Sequence, residues 1–307
     1  MKLEDALKTS LDELRMQMLG AQVLFGFQIQ GLFQNNFGAM QLSGRVLDAI
    51  GLALMIAVLG LLIAVPCQHR LVDGGETTVR IYKVSVRYAT LALAPLAGVI
   101  ACDVFVAAER PFGMMISTMM AVCTAVMTAT AWFWAGMILR RRWNTPARGG
   151  PMQQPKTELH VKIEQMLTES RVILPGAQAL LGFQLIVMMT KEFDALTPPI
   201  RVVHLVALLS LALAIILLIA PAAIHRLSFG GRDDPRLQSL GSLLITLALL
   251  PLACAISCDV LIALTRLFGD SAASWSAALA VLFFLLGLWY ALPLLIKRAL
   301  RRAACRE

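Results

Sequence analysis

Charged residues are scarce in this chain of 307 residues: Asp, Glu, Lys and Arg together make up 15% of it, whereas 58% is hydrophobic. A soluble domain of ordinary composition carries about a quarter charged residues, so the composition argues against such a domain. Only four histidines are present, and the motifs HExxH, GxSxG and the glycine-rich phosphate loop do not occur. A zinc hydrolase, a serine hydrolase and an ATP-driven pump are therefore disfavoured. We expect a protein that is not an enzyme, with no catalytic residues, no cofactor and no metal site.

Long apolar runs make up much of the sequence. About 20 apolar residues cross the hydrocarbon of a bilayer as a helix, because backbone polar groups in lipid must be satisfied within the segment. The sequence predicts eight such helices, at residues 16–34, 46–66, 88–108, 114–139, 172–190, 202–224, 239–264 and 274–296. It therefore indicates an all-α integral membrane protein. The first and fifth runs are the least apolar, because they contain glutamines.

Positive charge is distributed unevenly between the two sides of these predicted spans. Of the 27 Lys and Arg residues, only five fall in the loops of one side: Arg45, Arg110, Lys191, Arg201 and Arg266. The positive-inside rule then predicts that both termini are cytoplasmic. The net charge of +8 fits anionic lipid head groups at the cytoplasmic face and requires no nucleic acid. An aromatic belt at that interface is predicted from Trp132, Trp134, Trp289 and Tyr290.

The chain is a tandem duplication. At a constant offset of 156 residues, without a gap from Leu11 to Gly113, about 40 of 103 positions are identical between the halves. Each half has four predicted spans, so both enter the membrane in the same direction. A parallel repeat of this kind implies a pseudo-twofold axis along the membrane normal. We divide the chain into a first four-helix repeat (1–143), a cytoplasmic linker rich in Pro and Gly (144–157) and a second repeat (158–307), each repeat with a short amphipathic start.

Glutamines recur inside the first span of each repeat, at Gln22 and Gln28 and again at Gln178 and Gln184. Gln22 shares a helix face with Gly26, and a glycine beside an amide allows close, hydrogen-bonded helix packing in lipid. Gln28 lies on a different face. The pattern favours helix packing, and a lining for a solute path is the alternative.

Acidic residues also recur, at Asp103 and Asp259 near the outer ends of the third and seventh spans. An ionisable side chain within a span is unfavourable and is a functional candidate by default. Arg45 and Arg201 begin the second and sixth spans on the same side. We expect an Asp–Arg ion pair at the outer rim, with proton or ion binding as the alternative.

A polar cluster is expected at the cytoplasmic interface of each repeat, where the first span begins and the second ends. Its members are Glu13, Arg15, His69 and Arg70, matched by Glu169, Arg171, His225 and Arg226. Such a cluster has the chemistry to bind an anion or to sense pH. Side chains that anchor the helices by reaching the interface are the simpler interpretation.

Two stretches of the second repeat, LTESRVILPGAQALLGFQL and LLIAPAAIHRL, resemble a bacterial family of four-span membrane proteins catalogued as domain of unknown function 6328. The residues that match its pattern are Glu169, Arg171, Pro175, Gly176, Gln178, Pro221, His225 and Arg226. The first repeat departs from it at Leu19 and Pro66. The resemblance implies a bacterial cytoplasmic membrane protein. Because family members usually have one repeat, it also implies that this chain is a fused version of what other members form as a dimer. No activity comes with the family.

Three functions remain open from the sequence. The amides and aspartates that recur in apolar spans favour a small transporter or channel, or else a membrane scaffold. The alternative is a membrane-embedded enzyme that acts on lipid at the cytoplasmic head-group level, which needs His69 or His225 beside a water-accessible carboxylate. A homo-oligomer or an unknown membrane partner is compatible with all three.

Overall fold

The computed structural model describes residues 3–34, 41–130, 132, 158–227 and 234–304, and all regular structure in these residues is helical. The first repeat contains α1 (Leu3–Gly31), α2 (Leu42–Leu71) and α3 (Val79–Ala129), which is broken at Gly113. The second repeat contains α4 (Leu159–Met188), the short α5 (Lys191–Asp194), α6 (Pro198–Leu227), α7 (Pro235–Phe268), α8 (Ala272–Leu286), a π-helical turn (Gly287–Ala291) and α9 (Leu292–Ala304). The linker 144–157 and Trp134 lie outside these residues.

The repeats begin and end their third helices in the same way. Thr78 caps α3 by accepting a hydrogen bond from the Ile81 amide, and Asp234, 156 residues later, caps α7 by accepting from the Arg236 amide. Gly113 and Gly269 are matched in the same register and have φ of 76° and 91°. Because side chains with a Cβ rarely adopt these angles, the glycines separate the third helix from the fourth in both repeats.

Within the part of the chain that the structure describes, seven helical segments are long and apolar enough to cross a membrane. They are Leu42–Leu71, Val79–Glu109, Phe112–Ala129, Leu159–Met188, Pro198–His225, Pro235–Phe268 and Ala272–Ala303. The expected fifth span is among them despite its glutamines. The expected first span, in α1, is not, because its composition is less apolar than that of the other seven.

Helix α1 begins at Leu3 rather than near residue 16, so the amphipathic start and the expected first span form one helix. Leu7, Leu11, Leu14 and Met18 recur at helical spacing, and each is at most 3% exposed. These side chains join the main apolar core of the protein. The amphipathic segment therefore buries its apolar side against other helices.

Helices α1 and α4 pack along each other, so the glutamine-bearing helices form the main contact between the repeats. Within the repeats, α2 packs most extensively on α3, and α6 on α7. A second contact between the repeats joins α2 to α7 and to the π-helical turn. These contacts bring the polar residues of both repeats into one helical assembly.

Trp289 lies in that second contact and does not belong to an aromatic belt. It is fully buried, and its indole Nε1 donates a hydrogen bond to the Gly60 carbonyl at 3.1 Å. Its neighbour Tyr290 donates its hydroxyl hydrogen to the Thr246 carbonyl. Both polar atoms therefore find partners inside the protein, and the expectation of an interfacial position was wrong for Trp289.

Candidate functional site

A glutamine of the first helix is hydrogen-bonded to an aspartate of the third helix in each repeat. Gln28 Nε2 donates to Asp103 Oδ1 at 2.9 Å. Gln184 Nε2 donates to both carboxylate oxygens of Asp259, at 2.9 and 3.0 Å. The two pairs occupy matched positions in the duplication. The same interaction therefore ties α1 to α3 and α4 to α7.

These pairs lie among apolar side chains, where an unpaired carboxylate is unfavourable. Gln184 and Asp259 are each 2% exposed, and Gln28 is 9% exposed, whereas Asp103 is only partly buried. Gly51 on α2 allows the first pair to approach, because a Cβ there would lie 3.3 Å from Gln28 Nε2. The donated N–H gives each carboxylate a charge-assisted hydrogen bond within the protein.

A third polar residue, which sequence reasoning missed, lies near each pair on the second helix. In the first repeat it is Asp48, and in the second repeat the matched position holds His204. His204 Nε2 donates to the backbone carbonyl of Gln184 at 3.1 Å, and its ring packs edge-on against Phe193 with centroids 5.2 Å apart. The signal in the sequence was a polar residue at the same register in both apolar runs.

A partly open cavity of about 280 Å³ adjoins the pair of the first repeat. Gln28, Asp48 and Asp103 line one part of it, and the remaining walls are apolar, including Leu24 and Phe27. Gln28 Oε1 and Asp103 Oδ2 are buried atoms without a hydrogen-bond partner in the protein. The first repeat thus has unpaired acceptor oxygens on two of the residues that line the cavity.

The expected ion pairs at the outer rim are not formed among the described residues. Both aspartates are held by glutamines instead of by Arg45 and Arg201. Arg201 donates to the carbonyls of Leu196, at 3.0 Å, and of Asp194. The guanidinium of Arg201 is therefore bound by backbone carbonyls at the end of α5 and in the turn that follows it, and not by Asp259.

The close packing of an amide on a glycine occurs once between the repeats. Gln22 is fully buried and packs against Gly176 of α4, where an added Cβ would lie 2.4 Å from the Gln22 Cβ. One turn further along α1, Gly26 receives the Phe183 ring, which also packs against Phe27 with centroids 4.8 Å apart. The bare backbone of both glycines therefore permits the approach of α1 and α4.

The symmetric counterpart of this packing is absent at the matched residues. Gln178 is exposed, and an added Cβ at Gly20 or Gly182 would meet nothing within 4 Å. The crossing of α1 and α4 is therefore asymmetric. Gln22 packs between the repeats, whereas Gln178 lies on the surface of the helical assembly.

The expected cytoplasmic cluster forms once, from residues of both repeats. Glu169 of α4 accepts hydrogen bonds from His69 Nδ1 and Arg70 Nε at the end of α2. The three side chains are at most 4% exposed. Because a carboxylate only accepts, the Nδ1 atom of His69 carries the proton. Glu169 therefore joins the two repeats through a buried, charge-assisted contact.

The matched residues are arranged differently. Glu13, Arg15 and Arg171 are exposed, and His225 is half-buried. The side chain of Arg226 lies outside the described residues. Around the buried cluster, further contacts join the repeats: Lys162 with Glu76, Gln165 with Thr77, and Lys8 with Glu164.

The described residues contain no group of three His, Cys, Asp or Glu side chains that is arranged to hold a metal ion. Cys254 and Cys258 are free thiols on one face of α7. What the polar residues offer is therefore acceptor oxygens inside an apolar assembly, and a buried ionic contact between the repeats.

These features define a helical protein with many segments of membrane-spanning length and with two copies of one polar arrangement. The chain belongs to the Family of unknown function (DUF6328), whose model matches residues 2–136 and again residues 153–293. The two matches confirm the resemblance and the tandem duplication. No curated protein and no solved structure matches the chain.

The buried contact predicts that the two matched glutamates differ in importance. Replacing Glu169→Gln leaves the buried Arg70 charge unpaired, so the free energy of unfolding is expected to fall by about 3 kcal/mol. The exposed Glu13→Gln variant is expected to change it by less than about 0.5 kcal/mol. Unfolding of both purified variants in detergent measures the difference. Equal stability of the two would contradict a structural role for the contact.

Proposed function

We propose that the chain is an integral protein of the bacterial cytoplasmic membrane with eight spans, α1 being the first, and with both termini in the cytoplasm. The two four-helix repeats then run parallel and are related by a pseudo-twofold axis along the membrane normal. The continuous α1 helix and its packing along α4, a helix of membrane-spanning length, support the eighth span. The uneven distribution of Lys and Arg supports the orientation.

This topology predicts which turns share a side of the membrane. In a variant without native cysteines, single cysteines at Glu158 and Arg236 are expected to react with an impermeant maleimide only after the cells are opened. A cysteine at Ala273 is expected to react in intact cells. All three positions are exposed at helix ends. Labelling of Glu158→Cys and Arg236→Cys from opposite sides would contradict the proposed order of spans in the second repeat, in which α4 and α6 both cross the membrane between these two positions.

We further propose that the protein moves protons or small cations across this membrane. The observation that carries the proposal is the Gln–Asp pair that both repeats retain inside apolar helices. A carboxylate at this depth is unfavourable, and such residues in membrane proteins line ion or proton pathways. The pairs join α1 to α3 and α4 to α7, and α1 and α4 form the main contact between the repeats, where a path between the repeats would run.

Flux measurements in liposomes test the proposal. The protein is expected to move protons or Na⁺ down an imposed gradient, and Asp103→Asn and Asp259→Asn are expected to reduce the rate by about tenfold or more. Asp12→Asn, which changes an exposed aspartate of α1, serves as the matched control and is expected to keep the rate. A cooperative thermal unfolding transition above the temperature of the flux assay shows that each variant is folded.

A second candidate, a membrane scaffold, is favoured by the extensive contact between the repeats, including the buried Glu169 cluster. Absence of flux for every ion tested would contradict transport and support the scaffold. A lipid-directed enzyme would need a water-accessible carboxylate beside His69 or His225. The carboxylate beside His69 belongs to Glu169, which is 2% exposed, and no contact among the described residues joins His225 to a carboxylate, so both observations support a non-enzymatic function.

A further inference from the structure

The two repeats differ at one polar position beside the Gln–Asp pairs, and the difference alters the charge of each cluster. The first repeat brings together Gln28 from α1, Asp48 from α2 and Asp103 from α3. The second repeat has His204 in place of Asp48. The first cluster therefore has two carboxyl groups, whereas the second has one carboxyl group and an imidazole.

The first cluster also has acceptor atoms left over. The hydrogen bond from Gln28 Nε2 to Asp103 Oδ1 fixes the orientation of the amide, because only its NH₂ group donates to a carboxylate. Gln28 Oε1 and Asp103 Oδ2 then remain without a partner, although Gln28 is only 9% exposed. Buried polar atoms in native proteins are normally paired, so these oxygens point to a ligand that the protein itself does not supply.

Space for such a ligand is present. The cavity of about 280 Å³ adjoins Gln28, Asp48 and Asp103 and is partly open to the outside. Its other walls are apolar, so a second carboxylate beside the first is unfavourable unless positive charge is added. A bound cation supplies that charge and the missing partner for the free oxygens.

We propose that Gln28, Asp48 and Asp103 bind a Na⁺ ion, and that only the first repeat does so. The ligands are two carboxylates and an amide oxygen, and hard cations prefer such oxygen ligands. Ca²⁺ takes six to eight oxygens, more than these three side chains offer against apolar walls. A monovalent ion fits the smaller number of ligands and completes its coordination with water from the open side.

The second repeat also leaves one amide oxygen unpaired, Gln184 Oε1, but its carboxylate and its third residue differ from those of the first repeat. Both oxygens of Asp259 accept from Gln184 Nε2, and His204 donates to the backbone carbonyl of Gln184. An imidazole donor also stands where the first repeat has a carboxylate. The second cluster therefore holds α4, α6 and α7 together without a cation.

This inference rests on the proposed ion transport and names the ion and its site, but binding can be measured separately from flux. Thermal unfolding of the purified protein in detergent is compared in NaCl and in choline chloride, at equal ionic strength and pH. Saturating Na⁺ is expected to raise the Tm by about 3 °C or more, because an ion that binds only the folded state stabilises it.

Variants locate the ion. Asp48→Asn and Asp48→His, the latter giving the first repeat the residue of the second, are expected to abolish the Na⁺-dependent shift. Neither changes the hydrogen bond between Gln28 and Asp103. Asp12→Asn is the matched control and is expected to retain the full shift. Since each variant is compared with itself in the two salts, a lower intrinsic stability does not obscure the result.

The proposal is overturned if the wild type unfolds at the same temperature in both salts, or if Asp48→Asn keeps the full shift. Stabilisation by Ca²⁺ or by acid alone, without an effect of Na⁺, also overturns it. A Na⁺-dependent shift without flux supports the site while contradicting transport. Flux that is unaffected by Asp48→Asn and occurs without Na⁺ binding leaves transport standing and refutes the site.

Discussion

The hydrogen bond from a buried glutamine amide to an aspartate carboxylate is the interaction on which this arrangement depends. Apolar burial gives helices in lipid little reason to associate, so polar contacts and close packing decide which helices meet. In each repeat this bond joins the first helix to the third, and the second helix packs beside them. Its occurrence in both repeats accounts for the attachment of α1 and α4 to the third helix of their own repeat, even though α1 is the least apolar of the long helices.

The contact between the repeats does not follow the symmetry of the sequence. Gln22 packs on Gly176 and Glu169 binds His69 and Arg70, whereas Gln178 and Glu13 are exposed. A dimer of identical units would have to use the same contacts twice or on its axis. Fusion into one chain removes that requirement, because each half then has its own sequence. Asp48 and His204 are a further difference between the halves: the first repeat has two carboxyl groups in its cluster, and the second has an imidazole in place of one of them.

Much of the fold could be predicted from the sequence. The length of the apolar runs correctly predicted helices, and the offset of 156 residues correctly predicted a duplication. In the structure, the matched glycines Gly113 and Gly269 end the third helices. The start of α1 could not be placed, because Leu3–Leu14 is amphipathic and reads equally as a surface helix. The side chains of Leu7, Leu11 and Leu14 settle the matter by packing into the core.

The site was predicted less completely, for a physical reason. The sequence identified Gln28, Asp103, Gln184 and Asp259 as polar residues in apolar spans, but an aspartate has the same pattern whether it binds an arginine or a glutamine. Which partner the aspartate binds depends on which acceptors lie near Arg201. The Leu196 and Asp194 carbonyls come within hydrogen-bond distance of Arg201 only in the folded turn. Asp48 was missed because a single acid at the start of a span resembles an ordinary interfacial charge.

A double-mutant cycle on Gln184 and Asp259 tests the central interaction most directly. Unfolding free energies of the wild type, Gln184→Ala, Asp259→Ala and the double variant would be compared in the same detergent. The account predicts that the two substitutions are non-additive, with a coupling of about 1 kcal/mol. Additive effects, with no measurable coupling, would contradict the claim that this hydrogen bond joins the helices of each repeat.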